Sequence, residues 1–478
     1  MVTRKMTLRG VAMTQVSSDL QPAIAPNAGR SGNARRLLDP VRRSTGGLVS
    51  GLMRGARTME IDLRLTGMVV ALILIWIGFG FASGGLFLTP RNLYDVSVQS
   101  VPVAIMATGM VLIIVSRNID LSVGSIMGLT AYLAAMTQRI WLTQNLGWGN
   151  SPAIWIIAIL VAGAVGALIG AIQGGLIAYV GIPAFIVTLG GLLIWRGLIF
   201  KVQQGQTIAP MDVNFAIIGG NLSAGSAISA AGGAIGFWPT WIVAILACVG
   251  ITYALVSSRR KRREYGFPVR PTWALTTLII VGCAVVLAAA WVLNSYPLPF
   301  RLATQYATAH GITEPAGGLI IPVGIAAPVV ILLGIALAMM YLTTRRQFGR
   351  YVFAIGGNPD AATLAGINTK RTIMGTFVLI GMLCAIAGCI QASRLDAGVT
   401  STGTSYELLV IAAAVIGGTS FAGGIGTIQG AIVGAVLMQS LKAGMVTVGL
   451  DSPLQDVAIG SVLVFAVGLD TVLQRRAK

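Results

Sequence analysis

An all-α polytopic membrane fold follows from three features of this 478-residue chain. Its residues are 55% hydrophobic and only 10% charged, with a mean hydropathy of +0.83. Apolar runs near or above the roughly 20 residues that a helix needs to cross a bilayer recur from residue 66 to the C-terminus. The net charge of +18 is also unevenly placed: residues 1–65, 257–271, 344–371 and 471–478 hold 25 of the 33 Lys and Arg but 6 of the 15 Asp and Glu. Cations gathered in a few short gaps and ends follow the positive-inside pattern, which assigns those four pieces to the cytoplasm. A basic face of this kind suits anionic lipid headgroups. It does not suit nucleic acid, because no aromatic residues are interleaved with the charges.

Taken in order, residues 1–65 mix Pro, Gly, Ser, Asn and Arg without a sustained apolar run. They predict a disordered, basic cytoplasmic tail, with a helix near 47–65, and lack the apolar core of a cleaved signal. Spans are expected at about 66–86, 97–115, 121–137, 153–180, 182–200, 238–256, 272–293, 319–343 and 372–393. With the N-terminus inside, 257–271 and 344–371 fall inside and the polar loops 201–237 and 294–318 outside. If 408–441 crossed once, the last span at 453–470 would deliver Arg475, Arg476 and Lys478 to the outside. A pair of segments broken at the Gly-rich turn 417–426 returns that tail to the cytoplasm, so 10 to 12 spans are expected. The four cysteines all fall inside apolar runs and read as small hydrophobes. The single histidine, His310, reads as a solvated loop residue.

The longest cationic gap of the second half contains GRYVFAIGGNPDAATLAGI at 349–367. Asn358 suits an N-cap, Pro359 the first helical position and Asp360 the positive helix end. Ala361, Ala362, Leu364 and Ala365 carry the turn, and Gly366 stops it. About seven residues rise only about 10 Å, too short to span a bilayer or to be stable alone. Local chemistry fits two readings equally: a docking knob for a partner, or a connector turn on the membrane surface.

Glycines repeat at four-residue intervals in Gly166, Gly170 and Gly174, in Gly426, Gly430 and Gly434, and in Gly124 and Gly128. Such stripes let helix backbones approach closely where lipid supplies no hydrophobic drive. Gly417, Gly418, Gly423 and Gly424 instead predict a break in a helix. Irregular backbone at membrane depth needs protein or a water-filled cavity around it, so this break is a candidate flexible element near a path. Asp120, ahead of Ser122 and Gly124, reads as a helix cap accepting from the amides of Ser122 or Val123, or as a charge at a gate corner; Arg117 is placed to pair with it. Arg196 is placed to snorkel outward. Arg394, Asp396 and Glu407 cluster at an outer end, where they either contact a partner or are solvated. Gln99, Ser100, Gln173 and Gln391 are candidates to line a path for a hydroxyl-rich solute or to bond neighbouring helices.

The chain has no P-loop, no HExxH and no set of membrane carboxylates for a proton relay or a metal. IDLSVG at 119–124, the 349–367 stretch and AAAVIGGTSFAGGIGTIQGAIVGA at 412–435, in that order, resemble the membrane permease subunit of bacterial ABC importers for monosaccharides, the ribose and xylose permease family. The xylose-permease branch fits best, because GIPAFIVTLGGLLIWRG at 181–197 and the extra segment near 257–300 also match. The likeness runs from about residue 64 to the C-terminus. Arg117-Asn118 depart from it, where a Gly or an acidic residue is expected.

The resemblance implies an ABC permease fold in the bacterial inner membrane, with both termini cytoplasmic and 358–366 as the coupling helix. It implies a homodimer, two ATPase subunits beneath and a periplasmic or lipid-anchored sugar-binding protein above. This chain is expected to bind no cofactor and to be no enzyme; ATP and Mg are used by the partner ATPase. The substrate expected is D-xylose, with ribose, galactose or another small polar solute as the alternative. A stand-alone secondary carrier lacks its coupling carboxylates, and an enzyme acting on lipid-linked sugars lacks clustered acids.

Overall fold

A computed structural model describes residues 63–149, 151–202, 204–222, 232–313 and 318–477. Apart from its last three residues, the expected tail 1–65, including the helix near 47–65, lies outside them. The described chain is helical: α1 (Leu63–Ala82), α2 (Pro90–Val115), α3 (Val123–Met136), α4 (Ile154–Gly175), α5 (Ala184–Val202), α6 (Val213–Ile218), α7 (Phe237–Glu264), α8 (Thr272–Asn294), α9 (Phe300–Ala309), α10 (Ala327–Arg345), α11 (Gln347–Gly357), α12 (Pro359–Leu364), α13 (Thr369–Leu395), α14 (Tyr406–Ile416), α15 (Ile428–Thr447) and α16 (Ser452–Ala477). Among the described residues nine helices are long and apolar enough to cross a membrane: α1, α2, α4, α5, α7, α8, α10, α13 and α15. α14 and the first half of α16 are apolar but shorter. α3 and α4 run on in wider π turns, to Asn145 and Val180.

α2 is the centre of the bundle. Of its most apolar window 94% is buried, against 11% for α1, α7 and α8. Small residues set the closest helix contacts. On α4, a Cβ at Gly166 would be driven into the carbonyl of Gly381, and one at Gly170 into the carbonyl of Phe377, both on α13. Gly124 and Gly128 of α3 lie in the same way against the backbone of 402–403. Polar pairs fix register between helices: Trp76 Nε1 donates to Ser440 Oγ at 3.0 Å, and Gln439 Nε2 to Gln99 Oε1 at 2.9 Å.

Several expected boundaries move: the span expected at 97–115 already starts at Pro90, and that expected at 121–137 is a 14-residue α-helix run on in π turns, not one of the nine long apolar helices. The span expected at 319–343 begins only at Ala327, because 321–326 is non-helical, with Gly324 at φ +76°, and bonded on both sides. Leu298 N donates to Ile321 O at 2.8 Å, Ile235 N to Ile325 O at 2.9 Å and Gly236 N to Val323 O at 3.0 Å, so these peptides have partners outside a helix. The span expected to end at 256 continues as helix through the cationic run to Glu264. The bridges Ala234↔Ala326 and Pro297↔Pro322 gather 232–236, 296–298 and 321–326 at one end of the bundle. The returns at 265–271 and 346–368 therefore fall at the other end, where the cations are.

Candidate functional site

The short helix α12 forms as its residues dictate. The Asn358 side chain accepts from Ala361 N at 3.0 Å, Pro359 takes the first position, and Asp360 lies in the first turn. Ala365 N donates to Ala361 O at 2.9 Å and Ile367 N to Ala362 O at 3.1 Å, while Gly366 at φ +81° closes the helix. Ala362 is buried beneath it, whereas Asp360 and Ala361 are exposed and Leu364 is 90% exposed. That leaves an apolar side chain standing in solvent at the tip of a capped helix.

The helix before it, α11, is gripped at its C-terminus. Arg117 Nε donates to Gly356 O at 2.8 Å and its Nη2 to Gly357 O at 2.9 Å. A cation on the last carbonyls of a helix faces the negative end of its dipole. The expected Arg117–Asp120 pair is thus replaced by a bond to carbonyls 239 and 240 residues away. Gly424 N donates to Val115 O at 3.0 Å, and a Cβ on Gly356 would be driven into that same carbonyl and towards Gly424 N. The end of α2, the end of α11 and the glycine turn after α14 therefore meet at one junction. Arg117→Ala should loosen it by about 1 kcal/mol, the scale of an exposed hydrogen bond. Amide exchange at 356–358, read by mass spectrometry, should then rise about fivefold.

The glycine cluster does break the helix. Gly417 caps α14 and lies against the backbone of Gly430, Gly418, Gly423 and Gly424 take positive φ, and α15 runs back antiparallel. Gly426 belongs to this turn and not to the helical stripe expected for it; Thr427, whose Oγ1 accepts from Gly430 N at 3.1 Å, is the N-cap of α15. Gly430 and Gly434 remain helical and lie on the carbonyls of Gly417 and Ala413.

From the junction α14 climbs 11 residues, about 16 Å, half of a bilayer core. Above it the chain is irregular, with Asp396, Gly403 and Ser405 at positive φ, and Thr402 and Gly403 are buried against α3. Such backbone inside a bundle must find its partners in protein. Arg196 supplies one: its Nη1 donates to Thr402 O at 3.0 Å and more weakly to Thr400 O at 3.4 Å. It turns inward, because bonding two carbonyls of the irregular segment competes with snorkelling to the surface.

Around this segment the polar side chains are dense. Asp120 is fully buried, and its Oδ1 accepts from Ser122 N at 2.8 Å and Ser122 Oγ at 2.6 Å. Ser122 itself holds the N-cap position of α3, with Asp120 bracing it from two residues ahead. The Ser122 hydroxyl also lies 3.1 Å from Gln173 Oε1 on α4. The Glu407 carboxylate lies against Gly124. Asp120 Oδ2, Gln173 Nε2, Trp195 Nε1, Thr402 Oγ1 and Glu407 Oε2 are buried without a hydrogen-bond partner. Each such atom costs about 1–3 kcal/mol, so the patch is suited to a solute that brings donors and acceptors.

The candidate outer cluster separates. Arg394 is half-buried at the end of α13, Asp396 Oδ1 accepts from Met211 N at 2.9 Å, and Glu407 turns inward. Of the path candidates, Gln99 bonds Gln439 and Ser100 Oγ donates to Val96 O at 2.7 Å, while Gln173 and Gln391 keep unpartnered atoms. Trp195 and Thr402 were not anticipated from the sequence. The Thr-Ser-Thr-Gly-Thr-Ser run at 400–405 was the available signal, but such a run also describes an outer loop.

Comparison with known proteins agrees with this architecture. The family described as branched-chain amino acid transport system / permease component matches residues 92–260 and 213–467. The xylose transport system permease protein of Escherichia coli K12 is 35% identical over 421 residues, which is 87% of this chain and 94% of that protein. The ribose import permease protein of the same organism is 29% identical, over 81% and 88% of the two chains. The galactose/methyl galactoside import permease protein of Haemophilus influenzae Rd is 26% identical, over 88% and 98%. No solved structure matches. With a half-span helix, glycine-stitched interfaces and no ATP-binding motif of its own, the chain belongs to the transport-system permease component family.

Proposed function

We propose that this chain is the membrane-spanning subunit of an ATP-driven monosaccharide importer, with D-xylose as its first candidate substrate. The observation that carries the reading is the exposed, capped helix α12, joined through Gly356, Arg117 and Gly424 to the half-span helix α14 and the polar patch above it. The names of its relatives, permeases for xylose, ribose and galactose, support a sugar as the solute. Two copies form the pathway, and two ATPase subunits dock against Asn358–Gly366 from the cytoplasm. A sugar-binding protein delivers from the other side of the inner membrane, near Arg394. ATP and Mg act in the ATPase; this chain binds neither. Residues 66–478 form the permease domain, 257–271 and 344–371 lie inside with both termini, and 201–237 and 294–318 lie outside.

When the ATPase subunits close, they push on α12. The rigid end of α11 passes that displacement to the glycine turn, α14 shifts against α15 across the Gly417–Gly430 and Ala413–Gly434 contacts, and the 400–405 segment moves beside Asp120 and Gln173. Uptake of a panel of radiolabelled sugars, in a strain lacking this chain and in the complemented strain, tests the assignment. Loss of D-xylose uptake that is restored with the chain is expected. Loss of ribose or galactose uptake instead would move the substrate, and unchanged uptake of every sugar would remove the function.

A further inference from the structure

We propose that the turn joining α7 to α8 is a binding site for an anionic phospholipid, held by its headgroup phosphate. Arg259, Arg260, Lys261, Arg262 and Arg263 end α7, Arg270 precedes α8, and Glu264 is the one acid between residues 257 and 271. A run of cations alone is a solvated surface. Here two of them share a helical stripe with Leu255 and Ser258, and that stripe, with Arg270 and Leu275, walls a small cavity of about 40 Å³, room for about three waters and so for a phosphate group. Leu275 is buried, and Leu255, Arg259 and Arg270 are half-buried, so the cavity has an apolar floor and a guanidinium rim. Guanidinium forks match the oxygens of a phosphate.

The apolar surface beside the cavity favours a lipid over a soluble phosphate. Trp238 and Trp291 are exposed at one end of the α7–α8 pair, and Tyr265, Phe267 and Trp273 at the other. Aromatic girdles of this kind mark the two membrane interfaces. Between them Ile242, Leu246, Val249, Ile280 and Val285 face outward, an apolar surface for acyl chains. The cavity lies beside the second girdle, at headgroup level.

The full chain, purified into phosphatidylcholine nanodiscs doped with phosphatidylglycerol, tests the proposal by counting bound lipids with native mass spectrometry. Phosphatidylglycerol should be enriched over phosphatidylcholine, and R259A/R262A/R270A should lose that enrichment by about fivefold per arginine. Ser258→Trp fills the cavity from an exposed position with every charge retained, and should lose it as well. Enrichment unchanged in both variants overturns the site. Loss only in the triple variant reduces it to diffuse surface charge and overturns it too. Displacement of the lipid by millimolar inorganic phosphate would assign the cavity to a soluble anion, against the proposal.

Discussion

Gly356→Leu should abolish transport, while Gly357→Ala, one residue on, should leave it intact. A Cβ on Gly356 would be forced into Val115 O and towards Gly424 N, whereas one on Gly357 would meet nothing within 4 Å. The backbone atoms around Gly356 belong to three segments that hold one another, so none can yield alone. Overpacking of a closed site costs about 1–3 kcal/mol, and a leucine adds three more carbons to that clash. Expected results are a lowered thermal midpoint of the purified chain and uptake down by more than about tenfold. Gly357→Ala should match the wild type in both, and its failure would show that the junction is not where the strain falls.

Leu364→Glu should uncouple the transporter without unfolding it. Leu364 is 90% exposed and touches no core, so a charge there has almost no stability to remove. What it removes is the apolar contact proposed for the ATPase. Coupling energies between sites run at about 1–3 kcal/mol, so uptake per ATP hydrolysed should fall about five- to a hundredfold in proteoliposomes, at unchanged thermal midpoint. Ala361→Glu, on the exposed face of the same helix, should do likewise. Normal uptake in both, with the complex assembled, would show that α12 is only a connector turn.

The parts of this fold that depend on neighbouring residues were legible in the sequence. Asn358, Pro359 and Gly366 mark the start and stop of α12 because caps are local chemistry, and the structure has the Asn358–Ala361 bond they imply. The break at 417–424 was readable because the glycines and the charge rule agreed. Contacts set by the path of the whole chain were not readable. Nothing near Arg117 says that its carbonyl partners are Gly356 and Gly357, and the nearer acid, Asp120, looked the better mate. Hydropathy placed 319–326 in a helix because apolar residues look alike in non-helical chain, where Tyr296, Leu298 and Gly236 supply the hydrogen bonds. The descent of 400–405 into the bundle was hidden for the same reason: a polar run suits an outer loop until Arg196, Gly124 and Gly128 are known to flank it.

In the proposed mechanism the knob at 358–366 faces a motor in the cytoplasm and drives the bundle from there. Leu364→Cys, treated with a membrane-impermeant maleimide, tests it directly, since the four native cysteines lie within the apolar helices α7, α8 and α13. Label should enter inside-out vesicles, not intact cells whose outer membrane has been made permeable, and adding the ATPase subunit should block it. Labelling of the introduced thiol in those intact cells would put the knob on the outer face and contradict the mechanism at its root.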